Sequence, residues 1–205
     1  MAEYSRSNLL ALAVLGCLLE RPMHPYEMAT VMRQRGKEGS IKLNYGSLYT
    51  VVKALSKAGY IEAKETEREG RRPERTVYRL LQAGHVELID WLSDMVSVPA
   101  KEYRRFEAAL SMLPALPPED ALQLLEERCS RLELMLLQYQ TMRQMMDTKL
   151  ELPEIFGLES DFAATLLQAE LEWVQRLRGR IVSGDLGGLT QWRQFTADRG
   201  DRLST

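Results

Sequence analysis

The sequence is poor in the residues that most often hold metals or carry out redox chemistry: its 205 residues include two cysteines and two histidines. Cys17 and Cys129 lie far apart on helix-like stretches, and each is expected to be a small core residue rather than half of a disulfide. No Cys/His cluster has metal-ligand spacing, and the sequence lacks a G-x-S-x-G, a glycine-rich phosphate loop and an H-E-x-x-H. We therefore predict no metal, no other cofactor and no enzymatic activity; His24 fits a helix start better than a catalytic base.

Long hydrophobic runs are also missing. The longest candidate, LLALAVLGCLL at residues 9–19, is too short to span a bilayer and predicts a buried helix. The N-terminus lacks the strongly basic flank and the small-residue cleavage site of an export signal. With 45% hydrophobic and 27% charged residues, the composition is that of an ordinary globular protein. We expect a cytoplasmic protein without a membrane partner.

No large excess of one charge is present over the whole chain, whose formal net charge is -2. The distribution along the chain is uneven. Residues 1–85 contain 14 basic and 9 acidic residues, whereas residues 86–205 contain 13 basic and 20 acidic residues. A basic N-terminal part beside an acidic C-terminal part is typical of a polyanion-binding module joined to a second module, although unrelated two-domain proteins share milder forms of this asymmetry.

The first third of the chain begins with two predicted helices. Ser7 can cap a first helix that runs to Leu19 and is apolar nearly all round, which predicts a central position. Pro25 fits the first turn of a second helix, which ends at Gly36 with basic residues in its last turn.

A third helix is predicted over residues 44–58, with Asn44 as its cap. Apolar residues recur in it at positions i, i+3, i+4 and i+7, which predicts one buried face and one exposed face. The apolar positions are Leu48, Val51, Val52 and Leu55.

Two alternating stretches, YIEAK and RTVYRLL, follow the third helix and are joined by a charged segment that contains Gly70 and Pro73. This pattern predicts a β-hairpin with a long tip. The order of three helices and a hairpin within about 80 residues is that of a winged helix-turn-helix domain, which suggests DNA as the partner.

The rest of the chain is predicted to be helical. Residues 85–98 are expected to form a linker helix, and residues 99–182 a helical domain with a 4-3 apolar spacing along its long helix. Residues 183–205 are rich in glycine and polar residues, so we expect a poorly ordered tail, with docking by Trp192 and Phe195 as the exception. The predicted DNA-binding domain is residues 1–84.

The chain resembles the PadR family of transcriptional regulators, in the larger subfamily that has a full-length helical C-terminal domain. Five stretches in order carry this resemblance, and their order is more specific than any one of them. Pro25 departs from the pattern where the family often has glycine, and Thr50 replaces a common proline after Tyr49. The stretches are VLGCLLERPMHPYEM (14–28), YGSLYTVVKALSKAGYI (45–61), REGRRPERTVYRLLQAG (68–84), FEAALSMLPALPPEDALQLLEERCSRLE (106–133) and AELEWVQRL (169–177).

The resemblance implies a mainly α fold, with an N-terminal winged helix-turn-helix domain and a C-terminal α-helical dimerisation domain. It implies a homodimer that binds a palindromic operator in double-stranded DNA, usually as a repressor. Some members of the family respond to phenolic acids or other small hydrophobic effectors.

The candidate DNA contacts lie at the start of the third helix and around the hairpin. A recognition helix reaches base edges with its N-terminal side chains, and guanidinium groups suit phosphates or a narrow minor groove. The alternatives are that Tyr49 packs against the first helix and that the hairpin tip is a solvated charged loop. The candidates are Asn44, Tyr45, Ser47, Tyr49, Thr50 and Lys53 on the helix, and Lys64, Arg68, Arg71, Arg72 and Arg75 on the hairpin.

The apolar positions of the C-terminal helices have two interpretations, the core of one chain or an interface between two chains. We favour dimerisation, because two or three long helices leave an apolar strip that a two-fold partner can cover. Trp91 and Trp173 are weaker candidates for a ligand pocket, since aromatic residues at helical spacing are more often core. The candidate dimerisation residues are Leu122, Leu125, Cys129, Leu132, Leu136, Tyr139, Phe162, Leu166 and Trp173.

Two functions remain open from the residues alone. The first is a sequence-specific DNA-binding transcriptional regulator. The second is a winged-helix module that binds protein instead of DNA, which the glutamates interleaved in the hairpin and the net charge of -2 favour.

Overall fold

The computed structural model describes residues 4–67, 75–145 and 153–203. The chain divides into two compact units, residues 1–101 and residues 102–205, each of which has its own hydrophobic core. The architecture is mainly helical, with a two-stranded sheet in the N-terminal unit, which confirms the predicted fold class.

The N-terminal unit has the element order of a winged helix-turn-helix domain. A short 3-10 turn, Lys37–Gly39, follows its second helix. The elements are α1 (Leu9–Glu20), α2 (Pro25–Gln34), α3 (Tyr45–Lys57), β1 (Ile61–Glu67), β2 (Arg75–Leu80) and α4 (Gln82–Ser97).

Helix α1 is the central helix of this unit. Its cap is Asn8 rather than the predicted Ser7, because Asn8 Oδ1 accepts a hydrogen bond from the backbone N–H of Leu10 at 3.1 Å. The helix is apolar on several sides because it contacts α2, α3, α4 and β2. Its buried residues are Leu10, Ala11, Val14, Leu15, Cys17 and Leu18.

Helix α3 buries the four apolar positions that the spacing predicted, Leu48, Val51, Val52 and Leu55. These side chains join the core that α1 and α2 build. Because one face of an amphipathic helix is held in the core, the opposite face of α3 is presented to solvent.

The hairpin is antiparallel, with Ile61 opposite Leu80 and Ala63 opposite Tyr78. Its first strand is anchored by Ile61, which is buried. Met23, in the turn before α2, pairs with Tyr78 through two backbone hydrogen bonds of 3.0 Å, one in each direction. The connection between α1 and α2 is therefore bonded directly to the second strand of the hairpin.

Helix α4 belongs to the N-terminal unit, which differs from its predicted role as a separate linker over residues 85–98. Leu88 and Trp91 are buried in the N-terminal core, and α4 packs against α1. The unit boundary falls after Lys101 and not after Gly84. The periodicity predicted the helix, but it did not reveal which core its buried face joins.

The segment before α1 is fastened to α4 by charged and aromatic contacts. Arg6 Nε donates to Glu87 Oε1 and Arg6 Nη1 donates to Asp94 Oδ2, both at 2.7 Å. The Tyr4 hydroxyl also donates to Glu87, at 2.5 Å, and the Tyr4 ring meets the edge of Trp91. Burial raises the pKa of Tyr4, and the hydrogen bond from Arg6 lowers the pKa of Glu87.

The C-terminal unit is built around a pair of long helices. Its elements are α5 (Arg105–Ser111), α6 (Pro118–Met145), α7 (Leu158–Ser183) and α8 (Leu189–Leu203), with 3-10 turns at Leu113–Ala115 and Glu154–Phe156. Helices α6 and α7 are antiparallel, because Arg128 pairs with Glu170 while Arg143 pairs with Asp161.

The apolar stripe of α6 lies inside one chain, which corrects part of the predicted dimer surface. Leu125, Cys129, Leu132 and Leu136 are buried against α7, where Leu171, Val174 and Ile181 complete the core. These four side chains cannot also face a second subunit. The 4-3 spacing predicted a buried face, and α7 is the helix that buries it.

The other predicted dimer residues are less buried. Leu122 and Tyr139 are partly exposed, and Phe162, Leu166 and Trp173 are exposed on α7. The Trp173 ring meets Phe106 edge-on at 6.1 Å between centroids. A partner-facing role for these five residues stays a prediction.

Residues 189–203 form a helix where the sequence predicted a poorly ordered tail. Gly184 and Gly188, with φ of 83° and 84°, turn the chain after α7. Leu189 is then buried in the C-terminal core, and Trp192 Nε1 donates to the backbone oxygen of Leu116 at 2.7 Å. Docking by Trp192 and Phe195 was the predicted exception; Trp192 docks onto Leu116, and Phe195 is 53% exposed.

Throughout the segments that the structure describes, no helix has both the length and the apolar character needed to cross a membrane.

Candidate nucleic-acid interface

The exposed face of α3 carries the helix residues that the sequence singled out. Tyr45, Ser47, Tyr49, Thr50 and Lys53 are all exposed. They share this face because the apolar positions on the other side of the helix are buried in the core. The helix thus presents hydroxyl, aromatic and cationic groups together, which are the groups that meet phosphates and base edges.

The start of α3 is fixed by its own polar side chains. Asn44 Oδ1 accepts from the backbone N–H of Gly46 at 2.8 Å, and the Thr50 hydroxyl donates to the backbone oxygen of Gly46 at 3.0 Å. Asn44 is therefore the helix cap, as predicted. Its amide NH2 group is a donor that the cap does not use.

Tyr45 contacts two residues of α2, Tyr26 and Arg33. The ring of Tyr26 stacks on the Tyr45 ring, with centroids 5.8 Å apart and an interplanar angle of 13°. The guanidinium carbon of Arg33 lies 4.5 Å from the Tyr45 centroid, and Arg33 Nη1 donates to the Tyr45 hydroxyl. Hydrogen bonds to Tyr45 and then Glu38 raise the pKa of Arg33.

Tyr49 contacts His24, the residue that caps α2. Its ring meets the ring of His24 edge-on, with centroids 6.4 Å apart. His24 in turn caps α2, since its Nδ1 accepts from the backbone N–H of Tyr26 at 3.1 Å. Tyr49 remains 43% exposed, so the contact leaves part of its side chain on the surface of the unit.

A cleft of about 450 Å³ separates the beginning of α1 from the beginning of α3. Its lining includes hydroxyl and amide groups from the residues just before α1 and from the cap and first turns of α3. The polar lining residues include Ser5, Asn8, Asn44, Ser47 and Thr50. The exposed polar surface of α3 therefore continues onto the first turn of α1.

The structure describes only two of the five hairpin residues that were predicted to contact DNA. Lys64 is exposed on β1, and Arg75 begins β2 opposite Glu67. Glu62 and Arg79 face each other across the strands, and Arg79 Nε donates to Glu62 Oε1 at 2.5 Å. The remaining candidates, Arg68, Arg71 and Arg72, lie outside the described residues, so their role stays a prediction.

Three residues of α2 and its cap lie next to the predicted surface although the sequence interpretation did not include them: His24, Tyr26 and Arg33. Tyr26 and Arg33 are seven positions apart, close to two helical turns, and therefore project from one side of α2. That spacing was visible in the sequence. Their contact with Tyr45 was not, because it depends on how α2 and α3 cross.

The two tryptophans proposed for a ligand pocket lie in different units. Trp91 is 3% exposed and belongs to the N-terminal core, where it contacts Tyr4. Trp173 lies on α7 of the C-terminal unit. Trp91 thus has the structural role that was the alternative, and a ligand role for either residue stays a prediction.

Within residues 4–67, 75–145 and 153–203, no group of three or more His, Cys, Asp or Glu side chains could hold a metal ion.

Comparison with protein families gives one match. Residues 14–90 match the model of the transcriptional regulator PadR-like family. The matched segment covers the second half of α1, helices α2 and α3, the hairpin and the first half of α4. It confirms the resemblance that the ordered motifs indicated. No curated protein matches the chain.

Solved structures match both units of the fold. Bacillus subtilis PadR in complex with operator DNA aligns with a TM-score of 0.68 and 21% identity over 84% of this chain and 99% of that chain. The same protein in complex with p-coumaric acid aligns with a TM-score of 0.69 and 18% identity over 84% and 98%. The Vibrio cholerae virulence activator AphA aligns with a TM-score of 0.65 and 16% identity over 85% and 98%. At these identities the matches show a shared fold.

Proposed function

We propose that the chain, whose residues 14–90 match the model of the transcriptional regulator PadR-like family, is a sequence-specific DNA-binding regulator that acts as a homodimer on a palindromic operator. One observation carries the proposal: the solvent face of α3 holds Ser47, Tyr49 and Lys53 together, beside a hairpin of a winged helix fold. Bacillus subtilis PadR, which shares this fold, has been crystallised with operator DNA.

In the proposed complex, α3 enters the major groove. A helix fits this groove, and residues at its N-terminal end reach base edges, whereas residues one or two turns later meet the backbone. Asn44 and Ser47 are then candidates for base or phosphate contacts, and Lys53 holds a phosphate. The hairpin, with Lys64 on its first strand, lies against the backbone or the minor groove.

The homodimer is proposed from the exposed apolar side chains of the C-terminal unit. Leu134 and Leu137 on α6 are 62% and 58% exposed, and Phe162 on α7 is 65% exposed. A two-fold partner would remove such side chains from water and would place two winged helices for two half-sites about one helical turn apart. Dimerisation through this surface replaces the buried stripe of α6 as the proposed interface.

We also propose that the regulator is a cytoplasmic repressor that a small hydrophobic effector releases from DNA. Bacillus subtilis PadR has been crystallised with p-coumaric acid, and the proposed effector is of that chemical class. An effector acts on DNA binding only if it binds the DNA-free and DNA-bound conformations with different affinities. AphA is described as an activator, so the sign of regulation is a separate part of the proposal.

A winged-helix module that binds protein is the second candidate. Acidic side chains on the hairpin favour it: Glu62 pairs with Arg79 and would compete with a phosphate for that cation. A protein-binding module would show no discrete DNA complex and little dependence of its activity on salt.

The test is a mobility shift with fragments of the protein's own genomic neighbourhood at two salt concentrations. The proposal predicts a discrete shift of one fragment, weakened at the higher salt because several phosphates are neutralised. Lys53→Ala should weaken DNA binding. Arg180 is an exposed cation on α7, and Arg180→Ala removes the same charge but should leave DNA binding unchanged. Weak binding that is equal for all fragments, or no binding, would support the protein-binding module.

A further inference from the structure

Arg33 on α2 is in contact with both the recognition helix and an acidic residue. Its Nη1 donates to the hydroxyl of Tyr45, the first residue of α3, and its Nε donates to Glu38 Oε1 at 3.1 Å. The Arg33 side chain is 36% exposed. A guanidinium has five N–H donors, so Nη2 can bind a further acceptor while Nη1 keeps its bond to Tyr45.

The position of Arg33 favours a phosphate as that further acceptor. In a helix-turn-helix the helix before the recognition helix crosses the DNA backbone. Arg33 lies near the C-terminal end of that helix and against the first residue of α3, so its charge lies where the backbone would pass. Guanidinium groups match phosphate oxygens in geometry and in charge.

Tyr45 restrains the guanidinium. Its ring stacks with Tyr26 and has the Arg33 guanidinium over its face, and its hydroxyl accepts a hydrogen bond from Arg33. A flexible arginine loses side-chain entropy when it binds a phosphate, and a side chain that is already held loses less.

The Glu38 carboxylate accepts a hydrogen bond from the same guanidinium group. The pair is exposed, with 53% of the Glu38 side chain accessible, and an exposed ion pair contributes little free energy. A carboxylate oxygen and a phosphate oxygen are equivalent acceptors for Arg33. The pair can therefore be exchanged for a phosphate at small cost.

Resting on the proposed DNA-binding function, we propose that Arg33 binds a DNA phosphate, that Tyr45 is its positioning residue, and that Glu38 competes with the phosphate in the DNA-free protein. Tyr45 then acts through Arg33 and does not itself read a base. Glu38 lowers DNA affinity without touching DNA.

The first experiment is a salt titration of DNA binding by fluorescence anisotropy with the full chain and a labelled random-sequence duplex of about three helical turns. Phosphate contacts supply most non-specific binding, so no operator is needed. Arg33→Ala should weaken binding by about tenfold and should reduce the slope of log affinity against log salt by about 1. Arg35→Ala removes a cation from the cap of the same helix, where it pairs with Glu20, and should leave the slope unchanged.

The second experiment measures Tyr45→Phe and Glu38→Gln both in the wild-type protein and in the Arg33→Ala variant. Tyr45→Phe should weaken binding a few-fold in the wild-type background and should have no effect in the Arg33→Ala background, because the hydroxyl acts only through Arg33. Glu38→Gln should tighten binding about threefold in the wild-type background and should also have no effect with Arg33→Ala. Far-UV circular dichroism checks that every variant is folded.

An unchanged salt slope in Arg33→Ala, or an equal loss of slope in Arg35→Ala, overturns the phosphate contact. An equal effect of Tyr45→Phe in both backgrounds overturns the positioning role, since Tyr45 would then contact DNA directly. A wild-type protein that binds the random duplex but shifts no genomic fragment contradicts the proposed regulator and still gives an answer on Arg33. A wild-type protein that binds no DNA at all overturns both proposals.

Discussion

Gly84, in the first turn of α4, lies very close to the backbone at Tyr60. A Cβ atom at this residue would lie 2.2 Å from the backbone oxygen of Tyr60 and 2.9 Å from Leu80 Cδ1. Because a backbone oxygen cannot move aside as a flexible side chain does, α4 would have to shift away from the hairpin.

We expect Gly84→Ala to lower the free energy of unfolding by about 1–3 kcal/mol, in the range of overpacked sites. Urea denaturation measures this. Gly16→Ala is the matched control in the same unit, because no atom lies within 4 Å of a Cβ built there. Alanine at that helical position should raise the free energy of unfolding by roughly 0.5–1 kcal/mol. Equal stability of Gly84→Ala and the wild type would show that the close approach is not maintained in solution.

Glu87 couples the segment before α1 to α4 in a pH-dependent manner. The hydrogen bond from Arg6 lowers its pKa below the ordinary value of about 4.5, whereas burial acts in the opposite direction. A lowered folded-state pKa means that the ionised carboxylate is stabilised by folding. That stabilisation is present above the ordinary pKa and is lost as the pH falls through the lowered one.

We therefore expect Glu87→Gln to lower the urea midpoint at pH 7. The difference from the wild type should shrink towards zero as the pH falls below the ordinary carboxylate value, since the wild-type group is then protonated as well. Asp90→Asn, at an exposed position of the same helix, should change the midpoint little at either pH. A difference that persists at acidic pH would attribute the effect to packing instead of charge.

At the scale of the element, the cap of α3 can be separated from its proposed DNA contact. Asn44→Ala removes the acceptor for the Gly46 N–H and should lower the free energy of unfolding by about 1 kcal/mol. Asn44→Asp keeps an acceptor and adds a charge that the helix dipole favours, so stability should be retained. The same charge repels phosphate, so DNA affinity should fall in anisotropy titrations. If Asn44→Asp binds DNA as tightly as the wild type, the N-terminal end of α3 is not part of the proposed interface.

The elements that the sequence predicted well are those whose pattern is local. Asn44 as a cap and the i, i+3, i+4, i+7 spacing of α3 each depend on neighbours in the chain, and both are present in the structure. Helix α8 was missed because its sequence is polar and follows several glycines. It is held by Leu189 and Trp192, whose partners come from distant parts of the chain.

Periodicity also indicates that a face is buried without indicating what buries it. The stripe that begins at Leu125 on α6 was assigned to a partner chain, yet α7 covers it. The same holds for the candidate site, where the sequence indicated the residues but not their contacts. The sequence placed Tyr45 at the start of the proposed recognition helix, but its contact with Arg33 arises from the crossing of two helices and could not be predicted from spacing.

At the scale of the whole molecule, the proposed dimer is testable through its exposed apolar side chains. Leu137→Glu and Phe162→Glu place charges at positions that are exposed in one chain, so each variant should fold. Both should shift the protein towards the monomer in sedimentation velocity and should weaken operator binding more than tenfold, because two half-sites are no longer bound together. Ser130→Glu, an exposed polar position of α6, is the control. Unchanged sedimentation of both apolar variants would place the interface elsewhere.

The two hydrogen bonds between Met23 and Tyr78 join the turn before α2 to the hairpin. The proposed recognition helix α3 and the hairpin are thus held in one rigid unit, and the distance between them is set when that unit folds. A duplex whose grooves do not fit that distance must bend or change its groove width, and the free energy of this deformation depends on base sequence. Base pairs that no side chain touches would then contribute to the choice of operator through their stiffness alone.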